Sequence, residues 1–294
     1  KVYTDLDIFC TFFSNDSVTI TGTNGKSTTA KLLYDILSDQ KKDARLVGNI
    51  GNPILSEKKI TKKSFFVIEA SSYQLEYSKI FKSKYSVILN ITPDHIERHK
   101  SFKNYIKAKF RLLDAQSTKS IAFVKRNDPV IIKKLRSKKY KQKIIKIDTS
   151  LQPPIFENIR NEYFISSGNR ENLIFVLKIC KILKLNEEKI LRTVNKFKGL
   201  KYRQQIIFVN NNLTIINDSK STSLASSENL LKNLKNVYWI LCGIPKKRDK
   251  FNLTKSQCKN FKGYIFGKHQ IQFIKNLKNK LTIKKFKNIK DTLN

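Results

Sequence analysis

The sequence predicts an α/β protein: a P-loop-type domain built on a mostly parallel sheet, followed by a smaller Rossmann-like α/β domain. Three observations carry the prediction. Short apolar runs rich in Val, Ile and Phe alternate with amphipathic stretches, the rhythm of parallel strands joined by helices. A glycine-containing turn, Gly22-Thr23-Asn24-Gly25-Lys26-Ser27-Thr28, lies directly between such a run and a helix. The helical pattern then breaks at Phe197-Lys198-Gly199-Leu200, which divides the 294 residues into domains 1–199 and 200–294.

In chain order, Ser17–Thr21 reads as a strand and Thr28–Ser38 as the helix after the glycine turn. Phe65–Ile68, Tyr85–Leu89 and Ile121–Val124 are apolar enough for buried parallel strands. Phe102–Ala115 repeats apolar residues at spacings of three and four, which predicts a helix. Lys133–Lys146 reads as a solvated helix face, and Gln142–Ser167, with Pro153-Pro154, as an irregular loop or hairpin. Two helices follow, Glu171–Leu183 and Glu187–Val194. Beyond the break, Ile206–Val209 and Leu213–Ile216 flank three asparagines as a hairpin. Helix Leu224–Leu234, strands Val237–Leu241 and Tyr264–Phe266, and helix Gln270–Lys278 complete the second domain.

Composition narrows the function classes. At 40% hydrophobic the chain can bury a core, and no apolar run approaches the roughly 18–20 residues of a membrane span. Cys10, Cys180, Cys242 and Cys258 are scattered, which fits a reducing compartment and argues against a disulfide framework or structural zinc. The absence of methionine marks the sequence as a piece lacking at least its N-terminus. A net charge of +36 ordinarily points to nucleic acid. Of the 59 basic residues, however, 49 are lysine and 10 arginine, spread along the whole chain. That bias, with abundant Asn and Ile, is read as AT-rich coding rather than a nucleic-acid surface. It still favours anionic small molecules.

The chemistry is concentrated at three strand ends. In the glycine turn, backbone N–H groups and a helix N-terminus face an anion. Lys26 can reach phosphates there, and the Ser27 hydroxyl can ligate Mg²⁺. Glu69 follows the strand Phe65–Ile68, where a carboxylate is placed for a hard cation, and Ser71-Ser72-Tyr73-Gln74-Leu75-Glu76 adds a polar cluster. A third strand runs into Asn90-Ile91-Thr92-Pro93-Asp94-His95, bringing one of only three histidines to the same edge.

Taken together, TGTNGKST, EASSYQLE, LNITPDH and YIKAKFRLL resemble the Mur ligases, ATP-dependent amide ligases of peptidoglycan synthesis related to folylpolyglutamate synthetases. Gly48-Asn49-Ile50-Gly51-Asn52-Pro53, SSYQLE and Asn217-Asp218-Ser219-Lys220-Ser221-Thr222 are most similar to the D-glutamate-adding branch. The resemblance implies ATP activation of a carboxylate as an acyl phosphate, then attack by an amine. It implies two Mg²⁺ ions, with ATP, UDP-N-acetylmuramoyl-L-alanine and D-glutamate as partners and no nucleic acid or membrane insertion, in a monomeric cytoplasmic enzyme.

By the same resemblance, Gly22, Thr23, Asn24, Gly25, Lys26, Ser27 and Thr28 cradle the phosphates, and Ser27 with Glu69 binds the first Mg²⁺. His95 serves the second ion, together with Lys109 if that lysine is carbamylated. Lys26, Glu69, His95 and Lys109 form the catalytic set. Asn169, Asn172, Arg203, Asp218 and Lys220 complete the nucleotide site, while Asn49, Ser71, Thr222 and Lys246 contact substrate. The family's UDP-binding domain would precede Lys1, and its last C-terminal segment would follow Asn294. Gly168 and Ile244-Pro245 depart from the family pattern beside Asn169 and Lys246.

Overall fold

The structure, a computed structural model, describes residues 2–245 and 249–293. Helix α1 (Asp5–Phe12) precedes β1 (Ser17–Thr21), α2 (Lys26–Asp39), β2 (Ala44–Gly48) and β3 (Phe65–Glu69). Next come α3 (Ser72–Tyr77), β4 (Tyr85–Ile88), α4 (Ile96–His99), α5 (Phe102–Asp114) and β5 (Ile121–Lys125). The first part continues through α6 (Pro129–Arg136), β6 (Lys143–Ile147), α7 (Ser167–Ile182) and α8 (Glu187–Lys196). The remainder comprises β7 (Gln205–Val209), β8 (Thr214–Asn217), α9 (Leu224–Leu231), β9 (Val237–Leu241), β10 (Phe261–Phe266), α10 (Gln270–Leu277), β11 (Thr282–Phe286) and α11 (Ile289–Leu293).

The chain divides into two compact units. The first comprises residues 1–162 and 169–197, and the second residues 163–168 and 198–294. In the first, six parallel strands run in the order β2-β3-β1-β4-β5-β6. β1 lies between β3 and β4, so the loops after these three strands leave one carboxyl edge side by side. In an open parallel sheet that edge is where ligands bind. Val18, Ile20, Val67, Ile68, Val87 and Ile88 are fully buried, as strands covered on both faces require.

The second unit carries a three-stranded parallel sheet, β11-β10-β9, and a separate antiparallel pair, β7-β8. Its own core gathers Leu224, Leu241, Phe261, Ile265 and Leu277. No helix among the described residues is long and apolar enough to cross a membrane.

The α/β class and mostly parallel sheet stand as the sequence predicts, with local corrections. Lys143–Ile147 is the sixth strand, not part of a helix face or an irregular loop. It is an edge strand, and lysines at an edge blunt further pairing while hiding the apolar alternation. Helices α1 and α3 and strands β2 and β11 carry no distinct pattern of their own. α3 is only six residues long and is held by a capping box.

Candidate active site

The phosphate loop is built by close approach. Gly25 takes φ +85°, and a Cβ there would lie 2.1 Å from the Asn172 Oδ1, so only glycine fits. Asn172 and Asn169, one helical turn apart on α7, are both buried, and Asn172 thereby lines the loop. The loop is tied to the chain that follows β4. The Asn90 side chain accepts from the Asn24 N–H at 2.9 Å and donates to the Asn24 carbonyl at 3.1 Å. Thr23 donates its N–H to the Asn90 carbonyl at 2.9 Å, and its hydroxyl accepts from the Thr92 N–H at 3.0 Å.

Two lysines meet at one oxygen. The Lys26 ammonium donates to the carbonyls of Gly22 (3.0 Å) and Thr23 (2.9 Å). Lys109 Nζ donates to the same Gly22 carbonyl at 2.8 Å and lies 4.6 Å from the centre of the Tyr105 ring. Lys109 is 1% exposed. Burial, and next the Lys26 charge, push its pKa well below that of an ordinary lysine, while Asp94 and Glu69 pull the other way. The sequence predicts a role for Lys109 only through resemblance; burial beside a second cation is a tertiary fact.

Glu69, the last residue of β3, is buried. The Asn49 amide donates to its Oε1 at 3.0 Å, while Oε2 is buried without a hydrogen-bond partner. A buried carboxylate oxygen left bare is costly unless a ligand meets it, so the arrangement suits a cation. No three His, Cys, Asp or Glu side chains among the described residues could hold an ion by themselves. This fits Mg²⁺, which takes one or two protein groups and completes its shell with water and phosphate oxygens. Ser27, in the first turn of α2, is also buried.

His95 stands at the N-terminus of α4 with φ +53°, a left-handed conformation that histidine takes more readily than most non-glycine residues. Its ring is 5.1 Å from that of Tyr73, and Nε2 is 3.4 Å from Asp94. Ser71 caps α3: its hydroxyl accepts from the Gln74 N–H at 3.2 Å. The structure therefore gathers the glycine loop, Lys26, Ser27, Asn49, Glu69, Ser71, His95, Lys109, Asn169 and Asn172 in the first unit.

Arg203, Asp218, Lys220 and Thr222 lie in the second unit, where the first and the last two are exposed. Asp218 accepts from the Gln204 N–H at 3.0 Å and keeps Oδ2 buried and unpartnered; burial raises its pKa against that hydrogen bond. Lys246 lies outside the described residues. Sequence reasoning missed Asn90 and Tyr105 as site residues. Tyr105 sits four residues before Lys109, so helical spacing could have flagged it.

A half-buried and a buried lysine meeting at a glycine loop, beside a bare carboxylate oxygen on the edge of a parallel sheet, make a P-loop-type arrangement suited to an anionic ligand such as a nucleotide. The Mur ligase middle domain matches residues 20–184, and the chain belongs to the Mur ligase family. Over 301 residues it is 32% identical to the UDP-N-acetylmuramoylalanine–D-glutamate ligase of Rickettsia prowazekii, matching 95% of this chain and 66% of that protein. The namesake from Buchnera aphidicola subsp. Schizaphis graminum is 33% identical, with 95% and 67% matched. The chain thus spans about two thirds of the length of these relatives.

Among solved structures, MurF from Acinetobacter baumannii superposes with a TM-score of 0.71 at 15% identity, covering 99% of this chain and 71% of that one. MurF ligase from Thermotoga maritima in complex with ADP gives 0.68 at 16%, covering 96% and 73%. At such identities the likeness is one of fold.

Proposed function

We propose that this site belongs to an ATP-dependent ligase that joins D-glutamate to UDP-N-acetylmuramoyl-L-alanine in peptidoglycan synthesis. The observation that carries the reading is the meeting of Lys26 and Lys109 at the Gly22 carbonyl, with the bare oxygen of Glu69 on the adjoining strand. Lys26 brings positive charge, and Glu69 with a modified Lys109 would offer oxygens to a cation, where a γ-phosphate and a substrate carboxylate, both anions, must meet. The choice of D-glutamate rests on the names of the sequence relatives.

In this reading the N–H groups of residues 22–28 and the Lys26 ammonium hold the ATP phosphates. The substrate carboxylate attacks the γ-phosphorus and ADP departs; the amine of D-glutamate then attacks the acyl carbon and phosphate leaves. Mg²⁺ would be held by Ser27 and Glu69, and a second ion by His95 and carbamylated Lys109, supplying charge neutralisation for the phosphoryl oxygens. Burial that favours the neutral amine makes Lys109 a nucleophile toward carbon dioxide: the amine nitrogen bonds carbon, a proton is released, and a cation becomes an anionic oxygen donor.

Asn49 orients Glu69 as well as facing substrate, and Ser71 and His95 border the acyl group. Asn169 and Asn172 sit on the nucleotide side. Arg203, Asp218, Lys220, Thr222 and Lys246 act from the C-terminal part. Residues 1–199 then serve as the central ATP-binding domain and 200–294 as part of the C-terminal domain of a monomeric cytoplasmic enzyme with no nucleic-acid partner.

Phosphate release by the full-length protein, given Mg·ATP and UDP-N-acetylmuramoyl-L-alanine, tests the reading. Release should require both substrates and prefer D-glutamate over L-glutamate, L-lysine and diaminopimelate. Preference for another amino acid would assign the chain to a sister ligase. Turnover with no amino-acid dependence would overturn the ligase assignment.

A further inference from the structure

His99, the last residue of α4, is a buried histidine to which the reaction above gives no role. Its side chain is 0% exposed. Nε2 lies 3.0 Å from the Ser72 hydroxyl, and Nδ1 faces Glu76 Oε2 at 3.6 Å. Neither Nδ1 nor that carboxylate oxygen has a hydrogen-bond partner. The ring stacks on Tyr73 (centroids 5.5 Å apart, planes 16° apart) and meets the edge of Tyr105 at 5.4 Å. Its carbonyl accepts from the Asn104 amide at 2.9 Å. One imidazole therefore touches both helices that flank the site.

Each contact leads to a site residue within one step. Ser72 is the first residue of α3, adjacent to Ser71, which caps that helix. The Tyr105 hydroxyl is 3.0 Å from Thr23 Oγ1 in the phosphate loop, and its ring lies against Lys109. At 3.6 Å Nδ1 and Glu76 Oε2 are just beyond hydrogen-bond distance, but a carboxylate only accepts and its charge attracts an N–H, so the tautomer with its proton on Nδ1 is the one this neighbour favours. In a neutral ring Nε2 is then the acceptor, and the Ser72 hydroxyl the donor. Burial, the main influence, disfavours the imidazolium, with Glu76 pulling the other way and the Arg98 charge adding to burial.

We propose that His99 is a positioning residue of the ligation site: a neutral imidazole, Nδ1–H toward Glu76 and Nε2 accepting from Ser72, that fixes the Ser71 end of α3 against Tyr105. It thereby sets the acyl-substrate side of the site relative to the phosphate loop. The assignment rests on the reaction proposed above, but the arrangement of the ring does not.

The test uses the full-length protein with His99→Phe, which keeps a stacking ring without its polar atoms, and His99→Gln, whose amide can both donate and accept. Nitrogen-15 NMR of the wild type reads the tautomer directly, with Nδ1 protonated and Nε2 not. His99→Phe should raise KM for UDP-N-acetylmuramoyl-L-alanine roughly ten-fold and leave ATP affinity within about two-fold, as outer-shell positioning groups do. His99→Gln should recover most of that loss, and Ser72→Ala should reproduce it if the Phe variant does not fold.

A proton on Nε2, an unchanged KM in both His99→Phe and Ser72→Ala, or a Gln variant no better than Phe would each overturn the assignment. If the wild type ligates nothing, the reaction falls, and the tautomer measurement still decides whether His99 sits between Glu76 and Ser72 as stated.

Discussion

Lys109 Nζ lies 2.8 Å from the carbonyl oxygen of Gly22, although 87 residues separate the two in the chain. The first glycine of the phosphate loop is thus held by a lysine that water scarcely reaches, and the same oxygen also accepts from Lys26. Two cations at one carbonyl are tolerable only when one is neutral, modified or met by an anion.

Lys109→Met tests that arrangement. Turnover should fall by roughly 100-fold or more if the lysine contributes in the reaction, because an interaction made in the transition state is lost. Thermal stability should hold or rise, since an apolar chain of similar length replaces a buried amine. Recovery with added short-chain carboxylates, followed by phosphate release, would support the carbamate. Full activity without them would remove Lys109 from the mechanism.

Glu69→Gln leaves the Asn49 contact an oxygen acceptor but removes the anionic Oε2. ATP turnover should drop about 100-fold, and the Mg²⁺ concentration for half-maximal activity should rise about ten-fold. Titration calorimetry of ADP in EDTA should show little change. Equal losses with and without metal would mean that Glu69 is structural.

Gly25→Ala should cost about 1–3 kcal/mol of stability or cut nucleotide affinity by a comparable factor. The added methyl must displace Asn172 Oδ1, and φ +85° is strained for alanine. Calorimetric unfolding and ADP titration separate the two losses. If neither changes, the loop does not hold this shape in solution.

Asp7 gives a prediction for pH. Its carboxylate is 1% exposed and accepts from the N–H groups of Lys79, Ile80 and Phe81 and from the Ser78 hydroxyl, tying α1 to the turn after α3. Burial raises its pKa, but the Ile80, Thr4, Lys79 and Phe81 N–H groups together outweigh it and leave the pKa lowered. A group depressed in the folded state stabilises above its unfolded pKa, near about 4, and loses that contribution as pH falls through the folded value. Asp7→Asn should therefore destabilise by about 1–3 kcal/mol at pH 7 in urea unfolding. The gap to wild type should narrow below about pH 4, and a constant gap across that range would exclude the charge as its source.

Much of this was legible in local pattern. The order strand, glycine turn, helix is written in consecutive residues, and so are the polar runs after Ile68 and Leu89. The three strand ends proved to be neighbours because β1 sits between β3 and β4. Strand β6 was hidden because lysines occupy its exposed positions, and α3 because six residues hold too little periodicity to read.

The sequence by itself determined the α/β class, the phosphate loop and the identity of the groups at the sheet edge, because spacing and residue type act between near neighbours. Only the tertiary structure decided that Asn49 grips one oxygen of Glu69 and leaves the other bare, that Lys109 is buried against Gly22, and that His99 joins Ser72 to Tyr105. Those depend on which strands and helices lie side by side. Burial then changes what a lysine, a glutamate or a histidine can do, by withdrawing the water that would otherwise hold its charge.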